Sequence, residues 1–529
     1  MKRVISLILV FCFIALALVA CGKKENETSG TTGTTKPKVT NKYGEEEVLG
    51  ESFDWETVKF EGEVLNVIAR DDYKVSKEWE QDEAASDVDG FGKIVAARNN
   101  VVEGDLGLDV RVTFEGDQWS TTFRNEILSV IQSDVDEGMN AYDIVACYGY
   151  VGLNTAYRDL WENLLDKDLF PYFDFSLPCW NQDLVNNGTV NDRMYICAGD
   201  FNISMFDSTM IMWHNKNLYE SLLVKTQDKE SPKDIQDTVT SGNWTYSELF
   251  KWASYSENLD AEGNSGDIYG LYMNGEKYPT EPFDVIPYAW DIDFMLKDEQ
   301  TGKYSYNFVG NTKANTAIEQ FRDLWDQDGT ATETTKGPKF PSGKLLFQAS
   351  VIWFDEESCM ARREMKDRFS ILPWPKYDET QDHYASTSQD YYTTMTVVNH
   401  SQSPITTRGE QISAYLQYGT EYSYTNVRMA YFKEIVEQKY FGQFPDGTTE
   451  KSIAIFNTII ENLEYDFATI YSTMLGNVVT QCWRMNVLLK NDGVSKDRGT
   501  TSVSQKFADN SDIYEKNLEE LYEWFGLED

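Results

Sequence analysis

The sequence predicts an extracytoplasmic α/β protein built as two domains or lobes, and three observations carry that prediction. The first is the opening stretch MKRVISLILVFCFIALALVAC, where Lys2 and Arg3 precede an apolar run from Val4 to Val19 broken only by Ser6. It closes on Leu18-Val19-Ala20-Cys21, the kind of site at which a signal peptidase cuts. The run is short for a membrane span of about 20 residues and leads into a polar tract. The second is length: 529 residues less a 20-residue signal exceed what one hydrophobic core usually holds. The third is the succession strand, helix, strand, helix, strand across residues 63–148, the signature of a parallel α/β layer.

The opening stretch resembles a bacterial lipoprotein signal, with residues 1–20 removed and Cys21 lipidated as the new N-terminus. Residues 21–52, rich in Thr, Gly, Lys and Glu, read as a disordered tether to the membrane. Loss of Lys2 and Arg3 takes the net charge from −40 to −42. So acidic a surface repels nucleic acid and anionic lipid, and its commonest use is solubility. Five cysteines remain beyond Cys12 and Cys21, namely Cys147, Cys179, Cys197, Cys359 and Cys482. They lack CxxC spacing, which leaves room for one or two disulfides and argues against a disulfide framework or a zinc site. The histidines, His214, His383 and His400, stand apart in sequence, so no metal site and no cofactor is expected.

Order begins with the apolar strand at 63–70 (EVLNVIAR). A helix follows over 94–106, stopped by Gly107, then an alternating strand at 108–114 (LDVRVTF). Next come a helix near 123–131 and a buried strand at 142–148 (YDIVACY). Residues 160–182 are aromatic and turn-rich, and 193–198 (RMYICA) read as a short strand. Helices are expected at 216–223 and within 241–257, the latter capped at Asn243 or Thr245 with Glu248 completing a capping box. A strand at 267–273 (DIYGLYM) and an amphipathic helix at 312–325 follow. Beyond these lie the apolar stretch 343–354 (GKLLFQASVIWF), a helix beginning at 362–367, the segment 369–375 (FSILPWP) and a strand-like 391–398. From 410 onward the chain reads as helical, including 452–463 and 514–525.

No GxSxG, HExxH, GxGxxG or SxxK signature occurs. The phosphate-loop-like run from Gly337 to Leu345 is one residue too long, with Leu345 where a hydroxyl should hold magnesium. The calcium-loop-like run from Asp260 has its Gly displaced and Leu271 in place of the closing Glu. Acidic pairs such as Asp355/Glu356 would suit a glycosidase, but 87 acidic residues make some pair nearly inevitable. Aromatics are more informative. They make up 14% of the chain, and Tyr148 and Tyr150 follow a buried strand, where α/β proteins place ligand contacts. Trp213, Trp290, Trp353 and Trp374 each edge an apolar element, suited to stacking on a sugar and equally suited to core packing.

The order of short segments resembles the family 1 extracellular solute-binding proteins, the maltodextrin-binding type that serves carbohydrate ABC importers. The segments are EVLNVIAR, AARNNVVE from Ala96, YDIV from Tyr142, DRMYICAGD from Asp192, WHNKNLY from Trp213, WTYSEL from Trp244, SGKLLF from Ser342 and FSILPWP from Phe369. The chain departs from the family in extra residues around 171–187 and after 419, and in Trp353-Phe354-Asp355-Glu356-Glu357 replacing a glycine-rich turn. The resemblance implies a two-lobed periplasmic-binding-protein-like fold of type 2, its ligand held in a cleft between lobes joined by crossovers. One lobe would comprise 53–200 and 345–395, the other 201–344 and 396–529. It implies a carbohydrate ligand, ABC permease partners, a monomer on the outer face of the membrane and no catalysis. The ligand contacts would be Tyr148, Tyr150, Asp200, Trp213, Trp290, Trp353, Asp355, Glu356, Trp374, Asp390 and Tyr391. Closure about a hinge would trap the ligand. A non-sugar solute or a sensor role stays open for this fold, and a surface glycan-active enzyme is the alternative from another class.

Overall fold

Among the described residues, eight main strands occur: β1 (Glu63–Arg70), β2 (Leu108–Glu115), β3 (Ile144–Tyr148), β4 (Met210–Asn215), β5 (Ile268–Met273), β6 (Leu345–Val351), β7 (Phe369–Leu372) and β8 (Thr393–Val397). The computed structural model describes residues 39–40, 46–47, 53–70, 76–81, 91–115, 121–148, 153, 159–257, 268–273, 280–331, 340–352, 365–389, 392–400, 406–431, 449–484 and 502–527. Residues 40–529 form one compact unit. Expectations for the signal peptide, Cys21 and most of the tether fall outside the described residues.

The strands fall into two sheets. The first runs β8–β3–β1–β2, with β1 parallel to both β2 and β3, and β8 antiparallel at the edge. The second runs from the short strand Thr330–Ala331 through β5, β6 and β4 to β7, with Ser256–Glu257 also pairing β5. There β5 and β6 are parallel, while β4 lies antiparallel to both β6 and β7. β3 and β6 are buried at every residue, as expected of strands covered on both faces.

Helices cover these sheets where the apolar spacing demands it. The helix Phe91–Leu106 buries Val95, Ala96, Val102 and Leu106 under the first sheet. The helix Thr312–Asp326 buries Ala314, Ala317, Ile318, Phe321 and Leu324, and its N-cap Asn311 accepts from the Ala314 amide at 2.9 Å. Thr245 does occupy the N-cap of Tyr246–Ala253, but its hydroxyl bonds Ser247 instead of closing a capping box. Residues 193–198 form isolated bridges, not a strand, and 365–367 are not helical.

The sheets redraw the expected lobe boundaries. Residues 345–395 were expected with the first lobe, yet β6 and β7 pair in the second sheet and only β8 joins the first. Residues 396–529 were expected wholly in the second lobe. The helix Thr406–Tyr422 instead packs on Phe91–Leu106, and its Ile412, Ala414, Tyr415 and Leu416 share a core with Leu65 and Val67. The physical reason is register. β6 offers Phe347, Gln348 and Ala349 to β4 on one side and β5 on the other, which places it inside the second sheet. All four cysteines among the described residues, Cys147, Cys179, Cys197 and Cys482, are buried and free; Cys359 lies outside them.

Candidate ligand site

Among the described residues, two chain crossings between the sheets run side by side. The first leaves the first sheet at Cys197, which bridges Met395, and enters the second at Met210. The second returns through Thr387 and Ser388 to β8. Thr209 and Ser388 form an antiparallel bridge, the Met210 amide donates to Thr387 O at 3.0 Å, and the Gln389 amide donates to Ser208 O at 2.9 Å. Gly199 allows the first crossing to pass its neighbour, since a Cβ there would meet Cys179 O at 2.4 Å.

A buried polar group fixes where the first crossing starts. Arg98, fully enclosed, donates from Nη1 to Phe201 O at 2.9 Å and to Ser423 Oγ at 3.0 Å. Glu78 Oε1 accepts from the Ser204 amide at 2.6 Å, and the Ser204 hydroxyl accepts from the Thr393 amide at 2.8 Å. Burial pushes the Glu78 carboxyl up to about 7, against the opposing pull of Ser204, Arg70 and Arg98.

Beside the crossings lies a cavity of about 890 Å³, within the range of small-molecule sites. One wall comes from segments rooted on the first sheet, with Asp183, Asn187, Ile196 and Tyr392. Thr387 and Ser388 form the floor at the crossing. The opposite wall comes from the second lobe: the helix Thr280–Ala289 with Asp284 and Tyr288, the turn to Met295, and residues 464–484. Seven rings line it, Tyr288, Phe294, Tyr304, Tyr392, Tyr465, Phe467 and Trp483.

Hydrogen bonds fix the phenols. Tyr288 Oη donates to Thr469 Oγ1 at 2.9 Å, and Tyr304 Oη donates to Asn187 Oδ1 at 2.9 Å. Tyr465 Oη lies 2.7 Å from Ser388 Oγ, whose own proton goes to Met205 O at 2.9 Å, so the phenol is the donor. Carboxylates alternate with the rings. Asp466 caps the helix Phe467–Ile470, accepting from the Ala468 and Thr469 amides. Burial holds its carboxyl up to about 7 despite those two donors. Glu464, 3.1 Å from His383 Nε2, is likewise raised to about 7, first by burial and then by Asp183. Burial also raises Asp183 and Asp293. Arg484 faces Asp284 at 3.8 Å. The wall therefore offers ring faces, hydroxyls, an amide and carboxyl groups poised between accepting and donating. Among the described residues no group of three or more His, Cys, Asp or Glu is arranged to hold a metal.

The residues singled out from sequence lie elsewhere. Trp213, Trp290 and Trp374 have no exposed surface and are core residues, which corrects their expected contact with ligand. Trp213 packs between Phe340 and Phe369, and Trp290 meets Tyr246 and Tyr377 edge-on. Tyr148 is buried at the end of β3 with the Arg70 guanidinium 3.6 Å from its ring centre. Asp200 sits in the first crossing, 3.8 Å from Arg428, its carboxyl raised to about 7 by burial. Neither lines the cavity. Tyr150, Trp353, Asp355, Glu356, Asp390 and Tyr391 fall outside the described residues. Sequence reading missed Tyr288, Tyr465 and Asp466. The signal was present in Tyr288-Ala-Trp-Asp-Ile-Asp293 and Glu464-Tyr-Asp466, where rings and carboxylates alternate.

Solved structures match this architecture over nearly their whole length. The sugar-binding protein MalE from Xanthomonas citri aligns with a TM-score of 0.54 and 12% identity, covering 88% of this chain and 100% of its own. The fold is that of the two-lobed solute-binding proteins. A cyclo/maltodextrin-binding protein complexed with maltotetraose gives a TM-score of 0.50 at 12% identity, over 88% of this chain and 98% of that one. The galacto-N-biose-/lacto-N-biose I-binding protein of the ABC transporter from Bifidobacterium longum, in complex with lacto-N-biose, gives 0.50 at 12% identity over 87% and 99%. No protein-family model matches the chain, and no curated protein matches it in sequence.

Proposed function

We propose that this protein is a membrane-anchored solute-binding protein that captures a saccharide outside the cell and hands it to an ABC importer, without transforming it. The cavity carries this reading. Its size suits a short saccharide, its rings offer stacking faces, and its carboxyl, hydroxyl and amide groups match a ligand covered in hydroxyls. The fold adds support, since the solved structures that share it include proteins complexed with maltotetraose and with lacto-N-biose. So acidic a wall disfavours anionic ligands. Anchoring through Cys21 fits the lipobox-like sequence ahead of a polar tract. Among the described residues no helix is long and apolar enough to cross a membrane.

Thermal unfolding of the protein against a panel of neutral mono- and oligosaccharides, maltotetraose and lacto-N-biose included, tests the reading. A bound saccharide should raise the midpoint progressively with concentration, as linkage requires. A panel without any shift would sink it.

A further inference from the structure

The charge of the cavity narrows its ligand further than size and rings do. Seven carboxyl groups line it against two cations, Arg484 and Lys297. Arg484 is already set against Asp284 at 3.8 Å, and Lys297 Nζ lies 5.4 Å from the centre of the Tyr304 ring. On the exposed part of the wall, Lys313 Nζ holds Asp291 at 2.9 Å. Among the described residues no cation stands within ion-pairing distance of Asp183, Asp293 or Asp466, and Glu464 meets only the His383 ring.

These carboxyls also oppose one another. Asp183 and Asp293 both act on Asp466, and Asp183 and Asp291 both act on Glu464, each raising the carboxyl in the same direction as burial does. Two of their oxygens are unused. Asp183 engages both of its own, with the Tyr465 amide and with Asn187 Nδ2. Glu464 is tied to His383 through Oε1 alone, and Asp466 takes the Ala468 and Thr469 amides both on Oδ1. Glu464 Oε2 and Asp466 Oδ2 therefore have no hydrogen-bond partner among the described residues, on side chains that line one wall of the cavity two positions apart.

A saccharide hydroxyl can donate to such an oxygen, but it leaves the mutual repulsion of the carboxyls in place. A protonated amine donates as well and supplies the missing positive charge, in a water-poor site that strengthens the pair. The aromatic rings of the same wall, Tyr392, Phe467 and Trp483 among them, attract an ammonium through their faces. We infer that the ligand of this cavity is a saccharide carrying one or more amines, held through Glu464 Oε2 and Asp466 Oδ2, rather than a neutral sugar. The amine is an addition to the saccharide reading above, on which it rests. Burial raises both carboxyls to about 7, yet an amine and a carboxyl together hold one proton across their contact, whichever carries it beforehand.

Calorimetric titration of the protein with matched saccharides tests this. The pairs are glucose with glucosamine, galactose with galactosamine, and cellotetraose with fully de-N-acetylated chitotetraose, the N-acetylated chitotetraose serving as a control for bulk. An amine-bearing member should bind about tenfold tighter than its neutral counterpart, the margin by which a charged hydrogen bond exceeds a neutral one. That margin should shrink in high salt. Glu464→Gln with Asp466→Asn keeps the shape of the wall and removes both charges, so in a variant that still unfolds cooperatively the margin should vanish. Asp293→Asn, on the exposed part of the wall, should narrow the margin and does not depend on that double variant folding. Neutral members that bind as tightly as their amine counterparts would overturn the inference and leave the saccharide reading intact. Failure of every amine-bearing member would also overturn it, with the wider neutral panel then deciding the saccharide reading separately. So would spermidine binding as tightly as the amine-bearing saccharides, or a folded double variant with an undiminished margin.

Discussion

Trp213, Trp244, Trp290 and Trp374 pack the second lobe with no exposed surface, whereas Tyr288, Tyr304, Tyr392 and Tyr465 line a cavity a short distance away. Both sets are large rings on the same lobe or at its border. The indoles are placed mainly by burial: Trp290 and Trp374 are walled in by other side chains, while Trp213 and Trp244 also send their N–H to main-chain carbonyls. Three of the phenols are placed by their hydroxyls, which hook Thr469, Asn187 and Ser388 and hold the rings in the cavity wall. The difference teaches that ring count says little about where a ligand sits. What distinguishes the wall is a ring held by a polar tip and flanked by carboxyl groups.

The largest expected effect comes from the interior. Trp213→Ala should cost about 3–5 kcal/mol of stability, the usual penalty for emptying a buried aromatic site. Denaturant titration measures it, and a much smaller loss would mean the indole is not a core residue. Next comes pH. Glu78, Asp200 and Asp466 are held up to about 7, well above ordinary carboxylates. The folded state therefore keeps protons that the unfolded chain releases. That contribution is complete below the unfolded values near 4 and is lost as pH rises through about 7. Stability should decline across this window by roughly 1.4 kcal/mol per pH unit for each such group. Glu78→Gln, in the interior, should flatten the slope without altering ligand affinity, whereas Asp466→Asn should change both. Affinity that responds equally to the two variants would erase the distinction between interior and wall.

A smaller effect sharpens the comparison further. Tyr288→Phe removes two hydrogen bonds, the one given to Thr469 Oγ1 and the one taken from the Asp466 amide, each worth about 1 kcal/mol. The ring stays but loses its anchor, so calorimetric titration should show weaker binding with only a slight fall in unfolding midpoint. A variant that binds as tightly as the parent would show that the hydroxyl does not position the ring.

Much of the fold was legible because its strands are local apolar runs. VLNVIA, VACY and IYGLYM each declare themselves, and Thr312–Asp326 shows its buried stripe in the spacing of Ala314, Ile318 and Phe321. Lobe membership was not legible. Leu345–Val351 reads as a buried strand in either sheet, and only pairing with β4 and β5, far away in sequence, assigns it. The site was hidden for the same reason. Tyr288, Tyr392 and Tyr465 meet only when three distant segments converge at the crossings. Trp213 and Trp290, conspicuous in sequence, satisfy themselves by burial.

Hydrogen–deuterium exchange, with the saccharide that most stabilises the protein, tests the central claim that this cavity is the ligand site. Slowed exchange should be confined to peptides covering 284–296, 464–484 and the residues Thr387, Ser388 and Tyr392, which line the cavity. Protection centred on other segments, with these three unchanged, would contradict it.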